Sequence, residues 1–141
     1  MRAIIADTGP LVALLNRRDQ FHAWAVDSLK TIKEPLHTCE AVLTEAFFRL
    51  SHVPRGQEQL LDLLTEPDVI VLNWRFDNNR MWIKQLMKKY ADTPASLADA
   101  CLVSIAAASS SPLIWTTDRH FEIYRLSDGK RIPLLAPERL E

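Results

Sequence analysis

Residues 2–16 read RAIIADTGPLVALLN. Ala3, Ile4, Ile5 and Ala6 form an unbroken apolar run closed by Asp7. A run this short suits a strand covered on both faces, as strands of a parallel sheet are. Thr8 and Gly9 follow, then Pro10, which fits the first turn of a helix because that turn needs no N–H from it. Leu11, Val12, Leu14 and Leu15 then keep helical spacing. In open α/β sheets, ligands sit just beyond the carboxyl ends of the strands, and Asp7 falls at that place. Two readings stand side by side: Asp7 or Thr8 caps the helix, or Asp7 belongs to a site.

The rest of the chain agrees with an α/β reading. Its 141 residues are enough for a single domain, 1–141, with a sizeable core. Asp19 is placed to cap a second helix, with Phe21, Ala25, Leu29 and Ile32 on one face. Leu36 to Cys39 reads as a short strand after Pro35. Ala41 to Val53 reads as a helix, and Gln57 to Thr65 as another beyond Pro54 and Gly56. Val69 to Leu72 is β-branched and apolar. Ile83, Leu86, Met87 and Tyr90 set a helix over residues 76–90. Thr93 and Pro94 open a helix from Ala95 to Ala108, apolar enough to be central and buried. Leu113 to Thr116 is the next strand, and Ile132 to Leu135 is an edge strand after the Asp128-Gly129 turn. Strands alternating with pairs of helices predict a three-layer α/β/α fold with a mainly parallel sheet.

Composition narrows the function classes. Hydrophobic residues make up 48% and charged residues 25%, an ordinary globular balance. No run approaches the length of a membrane span, and Met1-Arg2-Ala3 leads straight into a strand without room for a signal peptide. Cys39 and Cys101 have no C-x-x-C spacing and read as two buried thiols in a reducing cytoplasm. The formal charge of −1 excludes a non-specific nucleic-acid coater, which is basic overall.

Four carboxylates then need an explanation. Asp7 and Asp118 each follow an apolar strand. Glu45 lies among Leu43, Ala46, Phe47 and Phe48, and Asp99 lies between Ala98 and Ala100 in the most apolar helix. An ionised carboxylate in an apolar setting is costly unless paired or metal-bound. Arg49, one turn from Glu45, is the only near cation for either helical acid. Taken singly, each acid has a plainer reading: Asp118 starts a turn, Glu45 is exposed and paired with Arg49, Asp99 faces solvent. Taken together, they favour convergence at the carboxyl edge of the sheet around hard cations. Magnesium and manganese prefer oxygen ligands, and such a cluster serves phosphodiester hydrolysis. Asp92 is a fifth acid, read as a loop or cap residue because Pro94 interrupts the helix toward Asp99.

Ile5-Ala6-Asp7-Thr8-Gly9-Pro10-Leu11-Val12-Ala13-Leu14-Leu15 resembles the opening of PIN-domain proteins. Ser96-Leu97-Ala98-Asp99-Ala100 and Thr116-Thr117-Asp118-Arg119-His120-Phe121 resemble that family's later acidic motifs, and Thr44-Glu45 falls where its second acid belongs. The motifs come in the family's order and span essentially the whole chain. The resemblance implies the three-layer fold, Mg2+ or Mn2+ in an acidic pocket, and hydrolysis of single-stranded RNA. It assigns the catalytic and metal-binding roles to Asp7, Glu45, Asp99 and Asp118, with Thr117, and Thr8 beside Asp7, assisting. Small members of the family include toxins of VapBC-type toxin–antitoxin pairs, which implies a small antitoxin partner and a homodimer.

An RNA substrate needs a basic rim. Arg119 adjoins Asp118 and is the candidate contact; Arg80, Lys84 and Lys88 read better as a solvated face. Trp115 reads as core and Trp82 as a subunit contact. His22, His37, His52 and His120 show no metal spacing, so no zinc site is expected. The competing reading is a PIN-like module that binds RNA or protein without cutting. A dehalogenase-like phosphatase fails because Gly9 stands where its second Asp is needed, and a receiver domain fails because Asp7 is flanked by Ala6 and Thr8.

Overall fold

The structure, a computed structural model, describes residues 2–140. Five strands, β1 (Ala3–Ala6), β2 (Leu36–Cys39), β3 (Val69–Leu72), β4 (Pro112–Trp115) and β5 (Leu134–Leu135), form one sheet in the order β3-β2-β1-β4-β5. Every pairing is parallel. Between them run α1 (Thr8–Leu15), α2 (His22–Thr31), α3 (Glu40–Arg49), α4 (Gly56–Leu64), α5 (Phe76–Lys89) and α6 (Leu97–Ala108). This is the expected three-layer α/β/α arrangement, and the strand–helix–helix rhythm recurs as the sequence reads.

β1 is the central strand, and Ile4 and Ile5 are fully buried on it. The chain leaves β1 toward β2 and β3 on one side, then returns to place β4 on the other. The strand order therefore reverses between β1 and β4, and such a switch point leaves a crevice at the carboxyl ends of the strands. The register runs from Ala3 opposite Pro112 to Ala6 opposite Trp115, and the Asp7 N–H donates to the Trp115 carbonyl at 2.9 Å. The residues following Trp115 thus emerge level with Asp7.

Several boundaries move for local reasons. α3 stops at Arg49 rather than Val53, and α6 starts at Leu97, with Ser96 as its cap accepting from the Asp99 N–H at 3.0 Å. Asp19 does not cap α2: Phe21 holds the cap position, and Asp19 accepts from the Phe21 N–H in the preceding turn. β3 lies at the sheet edge, so Ile70 and Val71 stay exposed. Trp115 is fully buried as expected, while Trp82 is partly buried against the same core. Cys39 and Cys101 are not separate thiols. Their sulfurs are bonded, joining the end of β2 to α6 across 62 residues. No helix among the described residues is long and apolar enough to cross a membrane.

Candidate active site

Asp7 immediately follows β1 and Asp118 follows β4, so both stand at the crevice between the two strands. Asp99 arrives on the first turn of α6 and Glu45 on the middle of α3. All four line one cavity of about 250 Å³, together with Thr8, Gly9, Arg49 and Thr117. Larger clefts exist, of about 690 Å³ beside Arg17 and Arg18 and about 620 Å³ beside Glu40 and Trp74. Neither gathers several acids, so the smaller cavity is where chemistry is concentrated. Arg119 is exposed beside Asp118 and does not line the cavity, and Asp92 is exposed in the loop after α5.

The acids are not equivalent. Asp7 is 5% exposed and Asp99 8%, whereas Glu45 is exposed at the rim. The sequence reading that surrounds Glu45 with apolar side chains fails here, because that face of α3 turns outward with Thr44, Phe48 and Arg49. Glu45 is tied to the site through Thr8, whose hydroxyl lies 3.2 Å from Glu45 Oε2 and 3.4 Å from the Val42 carbonyl. Asp7 is engaged at both oxygens: Oδ1 accepts from the Thr8 N–H at 2.8 Å and Oδ2 from the Thr116 hydroxyl at 2.7 Å. Thr116 Oγ1 in turn accepts from the Asp118 N–H at 2.9 Å. One buried hydroxyl thus links the ends of β1 and β4. Thr117, the neighbour singled out in the sequence, lines the cavity and packs against Gly9: a Cβ there would collide with Thr117 Oγ1.

Asp99 and Asp118 each have an oxygen fixed by a protein donor, and Ser96 also hydrogen-bonds Asp99. Tyr124 Oη donates to Asp99 Oδ2 at 3.0 Å. Asp118 Oδ1 accepts from the His120 N–H at 2.9 Å and caps the 3-10 turn Arg119–Glu122. His120 Nδ1 lies 3.3 Å from the same Oδ1. The turn brings the residue two places after Asp118 back beside it, so His120 joins Asp99 and Asp118. The absence of a sequence spacing hid this, because the third participant, Asp99, comes from α6. One ligand atom from each of Asp99, Asp118 and His120 lies within 4.8 Å of the others. Hard carboxylate oxygens with an imidazole nitrogen are a donor set that fits a divalent ion.

Burial and mutual repulsion set the electrostatics. Burial pushes Asp7 up to about 7; the negative charges of Asp99 and Asp118 add to the rise, and the Thr116 and Thr8 hydrogen bonds oppose it. Asp99 is also raised, chiefly by burial, with the Tyr124 hydrogen bond pulling it back. Burial raises Tyr124 as well, and the charge of Asp99 adds to this, so the tyrosine stays a proton donor. A group of carboxylates that resists full ionisation is one that a cation would stabilise.

The family model for the PIN domain matches residues 4–126. No curated protein matches the chain. Among solved structures, the VapC20 toxin of Mycobacterium tuberculosis, described as cleaving the sarcin–ricin loop, is 18% identical with a TM-score of 0.71, over 79% of this chain and 87% of that one. VapBC2 from Rickettsia felis, bound to a DNA fragment from its promoter, is 15% identical with a TM-score of 0.63, over 98% of this chain and 100% of that one. At these identities the likeness is one of fold.

Proposed function

The chain belongs to the PIN-domain family, and from that premise we propose that it is a divalent-metal-dependent ribonuclease acting on single-stranded RNA. The observation that carries the reading is the convergence of Asp7, Glu45, Asp99 and Asp118 on one cavity. Asp99 and Asp118 would hold the ion directly, their carboxylates oriented by the Tyr124 hydroxyl and the His120 N–H. Asp7, buried, and Glu45, exposed, line the same cavity and would add to the hold on a second ion or a water. Bound Mg2+ or Mn2+ would supply positive charge against the phosphodiester and lower the pKa of water. The chain itself does the positioning. Thr116 fixes Asp7 and the backbone at Asp118, Thr8 fixes Glu45, and Arg49 on the wall offers a guanidinium to a phosphate oxygen.

The toxin role, an antitoxin partner, a homodimer and a cytoplasmic place belong to the same proposal. They are supported by the fold shared with VapC20 and VapBC2. An antitoxin that covers the acidic cavity with a basic side chain would silence the enzyme. The Cys39–Cys101 link is the feature that sits against a reducing compartment.

The test is cleavage of a labelled single-stranded RNA panel in Mn2+, Mg2+ or EDTA, with wild type beside Asp99→Asn. Cutting by wild type in metal alone supports the nuclease and the acid site together. RNA binding without cutting in any metal moves the assignment to a non-catalytic binding module. Cutting that persists in EDTA or in Asp99→Asn overturns the metal site.

A further inference from the structure

We propose that His120 is a nitrogen ligand to the divalent ion, so that the site prefers Mn2+ and the later transition ions to Mg2+. The inference rests on the metal-dependent reading above and goes beyond its four acids. Three observations carry it. First, an imidazole nitrogen of His120 lies with one oxygen each of Asp99 and Asp118 inside a 4.8 Å triangle. Second, each of these acids has an oxygen held by a protein donor, the Tyr124 hydroxyl for Asp99 Oδ2 and the His120 N–H for Asp118 Oδ1. Outer donors of this kind orient ligands in metal sites. Third, Asp7 spends both oxygens on Thr8 and Thr116, which leaves His120 as the better-placed third donor. Carboxylate and water ligands suit magnesium, whereas imidazole shifts a site toward transition metals, whose affinities rise from manganese onward. The His120 side chain, about one third exposed, is also reachable by an ion arriving from solvent.

The experiment measures ion binding rather than cleavage. Mn2+ is titrated into metal-free wild type, His120→Asn and Asp99→Asn, with free Mn2+ read by its EPR signal, and Mg2+ affinity is taken from displacement of bound Mn2+. The expected result is Mn2+ binding weaker in His120→Asn by at least about tenfold, the lower end of what losing even an outer partner costs a metal site. Mg2+ affinity should change much less, so the selectivity ratio collapses. Unchanged Mn2+ affinity in His120→Asn alongside loss in Asp99→Asn overturns the His120 proposal and leaves the acid site standing. No Mn2+ binding by wild type, or none lost in Asp99→Asn, overturns both. Should His120→Asn fold poorly, NMR of wild type decides. Substoichiometric Mn2+ must broaden the ring signals of His120 ahead of those of His22, His37 and His52, and equal broadening of all four rejects the assignment.

Discussion

Tyr124 Oη donates to Asp99 Oδ2 at 3.0 Å, across 25 residues and in the interior of the protein. The tyrosine ring is fully buried and held edge-on by Tyr90 and Phe121, with ring centroids 5.1 Å and 5.3 Å away. Its hydroxyl therefore has little freedom to turn elsewhere. The bond does two things: it fixes which oxygen of Asp99 faces the cavity, and it favours the ionised form of a carboxyl that burial pushes up.

Tyr124→Phe keeps the ring packing and removes only the donor. Mn2+ affinity should fall by about 10- to 100-fold, as for other outer partners of metal ligands. The cost in stability should stay near the ~1 kcal/mol of an ordinary hydrogen bond. Calorimetric titration with Mn2+ beside thermal melts separates the two. Affinity equal to wild type would show that Asp99 needs no such support.

Thr116→Val makes a sharper demand. The hydroxyl donates to Asp7 and accepts from the Asp118 N–H, so an isosteric valine strands a buried carboxylate oxygen and a partly buried N–H. A loss of roughly 1–3 kcal/mol in chemical denaturation is expected. Thr116→Ser keeps the hydroxyl and should recover most of it. A serine variant as unstable as the valine variant would shift the explanation to the lost methyl group.

Asp7 makes the metal-free protein less stable as pH rises. Its folded-state value is about 7 against an ordinary 3.8, so between these values the native state binds more protons than the unfolded chain. Stability from this group is full below about 4 and is lost as pH climbs through 7. Asp7→Asn removes the slope. In EDTA its melting temperature should exceed that of wild type at pH 8 and not at pH 4. A wild-type melting temperature flat between pH 4 and 8, with no gain in Asp7→Asn, would count against the buried charge.

The sequence was most legible where one strand or helix carries the signal by itself. Asp7, Asp99 and Asp118 stand out because apolar runs surround or precede them, and all three reach the cavity. Glu45 also reaches it, but for a different reason than its neighbours suggested: its side of α3 is open to solvent and Thr8 ties it in. The partners that tune the acids were hidden. Thr116 meets Asp7 across 109 residues and Tyr124 meets Asp99 across 25, and no periodicity records such pairings. The resemblance points to Thr117, the residue before Asp118, whereas it is the Thr116 hydroxyl that turns inward to Asp7. No sequence spacing records the sulfur link either, since Cys39 and Cys101 meet only once α6 is laid beside the end of β2.

Gly9 supplies the remaining prediction. It lies in the first turn of α1, where alanine would ordinarily be favoured by up to about 1 kcal/mol because glycine is the weaker helix former. Here a Cβ runs into Thr117 Oγ1, and Thr117 is buried beside Asp118 with little room to withdraw. Gly9→Ala should therefore destabilise the protein by about 1–3 kcal/mol, the usual cost of overpacking, reversing the sign that helix propensity alone gives. It should also pull the Asp118 segment away from Asp7 and weaken Mn2+ binding. Thr117→Ala removes the colliding oxygen, although Thr117 Cβ itself would stand 3.3 Å from the new methyl. The double variant should recover much of the lost stability, with a coupling energy in the 0.5–3 kcal/mol range of residues in contact. Additive losses in that cycle would mean that glycine is required at position 9 for its backbone or for substrate access, and not for the close approach of Thr117.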